Sequence, residues 1–327
     1  MKILELQDLL IGYKKPILQE VNASVNQGDI CVILGRNGSG KSTLIKTILK
    51  SIPKIKGNIK INNVEIESFN FELLSQIISV VYSQNILENE VNVYNLVALG
   101  RYPYKKWYEK LNKKDSLLIE KAIDYCGISS ILNLNANELS DGNRQKVFIA
   151  RAIVQNTPIL ILDEPLSYLD VENQFVIMKI FEELSKNENK TILFTSHEWD
   201  QSLTIANKMW YINENQLTSG MVEDVAIEKN IINAFSNEHF EFNFYLNKFV
   251  PILKQKSVKS VCVICSDGKD EQIYWLTRAL RKNNILLDEN SEIQIITKEK
   301  HYVLKENSSD VSFKNIEDLI NYLKINE

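Results

Sequence analysis

The first residues able to do chemistry in this chain are Gly35-Arg36-Asn37-Gly38-Ser39-Gly40-Lys41-Ser42, followed by Thr43. Glycines at 35, 38 and 40 let consecutive backbone N–H groups converge on an anion without Cβ interference. A helix starting at the same point would turn its positive dipole end toward that anion. Lys41 then offers a point charge to terminal phosphate oxygens, and the Ser42 hydroxyl is a ligand suited to Mg²⁺. The spacing is that of a polyphosphate-binding loop.

Two further clusters complement it. The apolar run Ile159-Leu160-Ile161-Leu162 ends in Asp163-Glu164-Pro165. A carboxylate at Asp163 can hold Mg²⁺ opposite Ser42, and Glu164 can polarise an attacking water as a general base. A second run, Thr191-Ile192-Leu193-Phe194, ends in Thr195-Ser196-His197. His197 is placed to hydrogen-bond a terminal phosphate oxygen and to hold water and Glu164 in geometry. His239 and His301 lack such a context and read as structural. Leu139-Ser140-Asp141-Gly142-Asn143 opens an apolar helix over Gln145 to Gln155; Ser140 and Gly142 form either a second anion site or an ordinary N-cap.

These residues need an α/β scaffold. Asp29 to Leu34, the glycine loop and a helical pattern from Lys41 to about Lys50 spell strand, loop, helix. Short, nearly continuous apolar runs suit strands buried on both faces of a parallel sheet. Their polar residues fall just past the C-terminal strand ends, where open α/β sheets place ligands. Between about 85 and 155 the pattern is mainly helical and reads as an insertion between sheet strands. The chain has 327 residues, 44% of them hydrophobic, which predicts about two domains and excludes disorder. The net charge of −4 argues against a dedicated nucleic-acid binder. No run reaches the roughly 18–20 apolar residues of a spanning helix. Without a signal-peptide pattern at its start, the chain reads as cytoplasmic.

In this order the motifs resemble those of ATP-binding-cassette (ABC) ATPase subunits, over roughly residues 1–245. The phosphate loop is Gly35–Thr43, the Q-loop glutamine Gln84, and the signature motif Leu139–Asn143. The Walker B strand with its glutamate is Ile159–Glu164; the D-loop is Ser167-Tyr168-Leu169-Asp170, and the switch histidine is His197. Tyr13 matches the aromatic residue that stacks on adenine. The segment Leu96-Val97-Ala98-Leu99-Gly100-Arg101-Tyr102-Pro103-Tyr104 resembles importers of iron–siderophore, haem and cobalamin. Gln155-Asn156-Thr157-Pro158 and Tyr168-Leu169-Asp170 with Gln174 fit the same group.

The resemblance implies a P-loop NTPase fold with a mixed or parallel sheet core, a helical insertion at about 86–155 and a small C-terminal α/β domain. It implies a nucleotide-binding domain over 1–247, followed by a domain of unknown role over 248–327. ATP and Mg²⁺ are the implied ligands, with Ser42, Gln84 and Asp163 around the metal. Glu164, His197 and Gln84 serve hydrolysis, and Tyr13, Gly35 to Thr43, Ser140, Gly142 and Asp170 contact nucleotide. Two copies would pair head to tail beneath integral-membrane permease subunits, with a substrate-binding protein in the full system. The chain would then sit peripherally on the cytoplasmic face of the inner membrane. An exporter or lipid-handling cassette shares the core motifs but lacks Gly100-Arg101-x-Pro103. Soluble non-transport relatives carry coiled-coil insertions or two cassettes, which this chain lacks. The signature departs from the family pattern at Asp141 and Asn143, and a carboxylate beside an anion site is electrostatically odd unless it faces away.

Three other features carry expectations. Arg101–Lys114 mixes cations with Tyr102, Tyr104, Trp107 and Tyr108, and reads as a solvated loop or a permease contact. Cys262-Val263-Ile264-Cys265 lies in an apparent strand and reads as buried structural thiols. Beyond about residue 250 the pattern gives a strand at Val258–Cys265, a helix near Gln272–Lys282, strands near Ile293–Thr297 and Tyr302–Leu304, and a helix near Ile316–Leu323. Ile316, Leu319, Ile320 and Leu323 share one face of that last helix. The segment reads as a regulatory or dimer-stabilising appendage.

Overall fold

Every residue of β3 (Ile30–Gly35) is buried, as expected of a central strand covered on both faces. In the computed structural model the described residues are 1–83, 90–106, 108–197, 199–228, 240–243, 248–251, 259–265, 270–283, 285–288, 290–298, 301–306 and 309–325. Gln84, Trp107, Glu198, His239 and residues 252–258 lie outside them. Two compact units divide the chain. One holds Met1–Ala234 and Phe244–Lys248, the other Phe235–Asn243 and Phe249–Glu327.

The first unit begins with β1 (Lys2–Gly12) and β2 (Pro16–Asn26), which precede β3. Helix α1 (Lys41–Ile48) is followed by β4 (Lys56–Ile61), β5 (Val64–Glu65), α2 (Phe71–Ser75) and β6 (Ile78–Val81). The helical insertion supplies α3 (Val93–Ala98), a 3₁₀ segment over Leu99–Tyr104, α4 (Lys113–Cys126) and α5 (Asp141–Val154). Then come β7 (Ile159–Leu162), α6 (Val171–Glu188), β8 (Thr191–Ser196), α7 (Trp199–Ile205), β9 (Lys208–Asn213), β10 (Gln216–Met221) and α8 (Val222–Glu228). These strands form an antiparallel sheet, β2-β1-β4-β5, and a six-stranded sheet, β10-β9-β3-β8-β7-β6. The six-stranded sheet is parallel from β9 to β6, and only β10 runs antiparallel at its edge. Leu4 and Leu6 of β1, Ile33 of β3, Leu44 and Ile48 of α1, and Trp210 of β9 belong to one buried apolar cluster.

Register brings the reactive motifs to one edge. Leu34 pairs with Ser196, and Leu162 with Phe194. The glycine loop, Asp163-Glu164 and His197 therefore all leave the sheet at neighbouring C-terminal strand ends.

The start of the 101–114 stretch differs from the solvated loop expected of it, while residues 108–114 are exposed. Arg101 is buried, and its Nε lies 2.9 Å from Asp115 Oδ1, while Lys105 Nζ lies 2.6 Å from Asp115 Oδ2. Arg101 also donates to the Val154 carbonyl at 3.1 Å and covers the Tyr104 ring. Gly100 permits this seating, because a Cβ there would stand 2.2 Å from the Arg151 carbonyl oxygen. Gly100-Arg101 thus fastens the 3₁₀ segment onto α4 and α5, and Tyr102 remains exposed.

The Asn112 backbone N–H, Lys105 and Arg101 outweigh the cost of burying Asp115 and hold its pKa down to about 2. A depressed carboxyl pKa stabilises the fold fully above the unfolded value, about 4. That stabilisation is lost as pH falls toward about 2. Asp115→Asn should cost about 3 kcal/mol, because it leaves buried Arg101 uncompensated. Thermal melts at pH 7 read this loss, and the gap between variant and wild type should narrow in acid.

In the second unit β11 (Phe240–Asn243) pairs with β12 (Lys248–Pro251). There follow β13 (Lys259–Cys265), α9 (Asp270–Lys282), β14 (Ile285–Leu287), β15 (Gln294–Lys298), β16 (His301–Glu306), β17 (Ser309–Phe313) and α10 (Ile316–Ile325). The five later strands form a mixed sheet, β14-β13-β15-β16-β17. Leu319, Ile320 and Leu323 of α10 join Leu276 and Leu280 of α9 against Val261, Ile295, Leu304 and Phe313 of that sheet. Strands β14 and β17 are additions to the sequence pattern. Cys262 corrects the buried-thiol expectation: it is free and only half-buried, on the sheet face opposite Val261. No helix among the described residues is long and apolar enough to cross a membrane.

Candidate active site

Gly40 sits in the left-handed region at φ 104 and gives α1 no side-chain cap, so the first-turn N–H groups have no cap acceptor. Ile17 of β2 packs over this turn, where a Cβ on Gly40 would approach its Cγ2 to 2.7 Å. A cavity of about 650 Å³ opens here. Asn37, Gly38, Gly40, Lys41, Ser42 and Thr43 form one wall, Glu164, Ser167, Tyr168 and His197 another, and Ile17 completes it.

Lys41 is buried and donates to the carbonyls of Gly35 at 2.8 Å and Arg36 at 3.3 Å. Burial pushes its pKa below the usual lysine value, while Glu164 and Asp163 act in the opposite direction. Ser39 Oγ is buried without a hydrogen-bond partner among the described residues. The uncapped N–H groups at the start of α1 fit phosphate oxygens.

Ser42 Oγ donates to Asp163 Oδ2 at 3.3 Å. A hydroxyl and a carboxylate placed together are hard oxygen donors, as Mg²⁺ requires alongside its retained waters. The other Asp163 oxygen accepts from Thr195 Oγ1 at 2.8 Å, and Thr195 Oγ1 accepts the Glu164 N–H at 2.7 Å. The Glu164 side chain contacts His197 Nε2 through Oε1, and Ser167 Oγ lies 3.5 Å from Oε2. Glu164 itself has φ 52, a left-handed backbone that a non-glycine residue adopts only under local constraint.

The structure thus gathers Asn37 to Thr43, Asp163, Glu164 and His197 at one place. Gln84 lies outside the described residues. Tyr13 is exposed in the turn between β1 and β2 and does not line the cavity. Ser140 and Gly142, at the start of α5, do not line it either. Ser140 Oγ caps that helix by accepting the Asn143 N–H at 3.4 Å. Asp141 faces solvent and lies 3.4 Å from Arg144. Asp170 caps α6 and takes two hydrogen bonds from Asn173, whose amide abuts Gly142. Thr195 and Ile17 were not singled out by the sequence. A threonine in an apolar strand reads as β-branched filler, and an isoleucine in β2 reads as core.

The ABC transporter family profile matches residues 18–167, and the profile of the iron ABC transporter C-terminal domain matches residues 263–324. An uncharacterized ABC transporter ATP-binding protein of Methanocaldococcus jannaschii is 30% identical over 270 residues, covering 81% of this chain and 92% of the relative. The petrobactin import ATP-binding protein of Bacillus anthracis is 29% identical, covering 72% of this chain and 88% of that protein. A solved metal-chelate type ABC transporter in an inward-facing conformation superposes with a TM-score of 0.65 at 28% identity, covering 77% of this chain and 98% of that chain.

Proposed function

The chain belongs to the ABC transporter family, as an ATPase similar to its iron-siderophore importers, and from that premise we propose that it powers uptake of an iron chelate through separate permease subunits. The observation that carries the hydrolytic half is the Glu164 carboxylate, held by His197 on the wall of the cavity that the phosphate loop opens. Support for the cargo comes from the iron-family profile over residues 263–324.

In this reading Gly35, Arg36, Asn37, Gly38, Ser39, Gly40 and Thr43 cradle the phosphates of ATP, and Lys41 leaves its loop carbonyls for the terminal phosphate oxygens. Tyr13 stacks on adenine from the exposed β1–β2 turn. Ser42, Asp163 and Gln84 would hold Mg²⁺, which supplies charge neutralisation on the phosphates. Glu164 takes the proton of the attacking water, and His197 fixes the carboxylate in line. Ser140, Gly142 and Asp170 act on the cavity of a second copy, head to tail. Their absence from the lining of this chain's own cavity agrees with that arrangement. The nucleotide-binding domain spans 1–247, and residues 248–327 form an appendage that tunes dimer affinity. The assembly lies on the cytoplasmic face of the inner membrane, with a substrate-binding protein delivering the cargo.

The test is reconstitution with the co-purified membrane partner in vesicles, supplied with Mg-ATP and radiolabelled iron chelates. ATP-dependent accumulation is expected. Vigorous ATPase activity without accumulation of any iron chelate would overturn the cargo assignment.

A further inference from the structure

We propose that Thr195 is a positioning residue for hydrolysis, whose single hydroxyl fixes both the Asp163 carboxylate and the Glu164 backbone. The inference rests on the hydrolytic reading of Asp163 and Glu164 above. Thr195 is fully buried at the C-terminal end of β8. Its Oγ1 lies 2.8 Å from Asp163 Oδ1 and 2.7 Å from the Glu164 nitrogen.

The proton directions leave one arrangement. A carboxylate oxygen accepts only, so the hydroxyl proton points to Asp163. The oxygen lone pair then faces Glu164, whose N–H donates to it. Both capacities are used in a fixed sense, and the χ1 rotor of a β-branched residue is stiff. One strand residue therefore sets two adjacent groups. Asp163 Oδ2 is left free to meet Ser42, at 3.3 Å. Glu164 is held where its φ is 52 and its carboxylate reaches His197. On the other side of β7, Asp163 N–H donates to the Val81 carbonyl of β6 at 2.8 Å, so the Asp163 backbone is held as well as its carboxylate.

Removing the hydroxyl takes a partner from a buried carboxylate oxygen and from a half-buried N–H, close to the reacting groups. Partners one step behind such ligands typically carry 10- to 100-fold effects. In Thr195→Val, which keeps the shape, kcat should fall about 10- to 100-fold. Half-saturating Mg²⁺ should rise several-fold, and affinity for ATP measured without Mg²⁺ should stay within about twofold. Thr195→Ser should restore kcat and Mg²⁺ dependence. The pair Thr195→Ala and Thr195→Ser carries the same comparison if the valine variant does not fold, with circular dichroism as the check. Glu164→Gln runs beside them. If it turns over like wild type, the hydrolytic reading itself fails. If Glu164→Gln is inactive and the valine and alanine variants match wild type, Thr195 is not a positioning residue. The proposal is equally overturned if serine loses as much as alanine, since the loss then follows volume rather than the hydroxyl.

Discussion

A Glu164→Gln variant should bind ATP and fail to turn it over. The substitution keeps the side chain's shape and its left-handed backbone at φ 52, but leaves no base for the water's proton. General bases contribute roughly 10²- to 10⁴-fold, so kcat should fall by about that factor. Uncleaved ATP should then hold two copies together, and size exclusion in Mg-ATP should show a dimer that wild type forms only in passing. Phosphate release at the wild-type rate would remove Glu164 from the mechanism. His197 touches the same carboxylate. His197→Ala should therefore lower kcat while leaving nucleotide affinity largely intact, measured in the same assay.

The second large effect is on binding. Lys41→Ala should weaken ATP affinity about 100-fold, or about 3 kcal/mol, the upper range for a hydrogen bond to a charged partner. The ammonium already sits in the cradle, held by the carbonyls of Gly35 and Arg36. The incoming phosphates exchange those two contacts for stronger charged ones, with no long side chain to recruit from solvent. Calorimetry reads the affinity directly, and an unchanged value would remove Lys41 from the phosphate site.

Sequence alone located the phosphate loop, the Asp163-Glu164 pair and His197, because each follows an apolar run that had to be a buried strand. Strands β3, β7 and β8 of the six-stranded sheet were legible for the same reason, and the helical insertion from its mainly helical pattern. Hydrogen bonds between strands were not. The role of Thr195 depends on β7 and β8 being neighbours, and no periodicity states which strands pair. Arg101 and Lys105 read as solvated cations, since Asp115, whose two oxygens pair with them, lies in the next helix. In the second unit Ile285-Leu286-Leu287 is too short, and Ser309–Phe313 too polar, to stand out as strands. Cys262 was misjudged because a two-layer sheet leaves one face open, whereas apolar runs of that kind suggested cover on both.

The strand order also dictates when this site can come into being. Ile30 pairs with Ile192, about 160 residues later in the chain. At about 5–20 residues per second on a ribosome, the β3 backbone waits roughly 10–30 s for that partner to be synthesised. Throughout that interval the phosphate loop exists without His197 and without the strand pairing that places Glu164, and both edges of β3 lack their mates, β8 and β9. ATP cannot favour the nascent half through contacts that are not yet made, so nucleotide stabilises only chains whose sheet has closed. Contacts this distant in sequence also slow closure after release. A chaperone that shields the Cys31-Val32-Ile33-Leu34 strand should therefore raise the yield of active protein more than added ATP does.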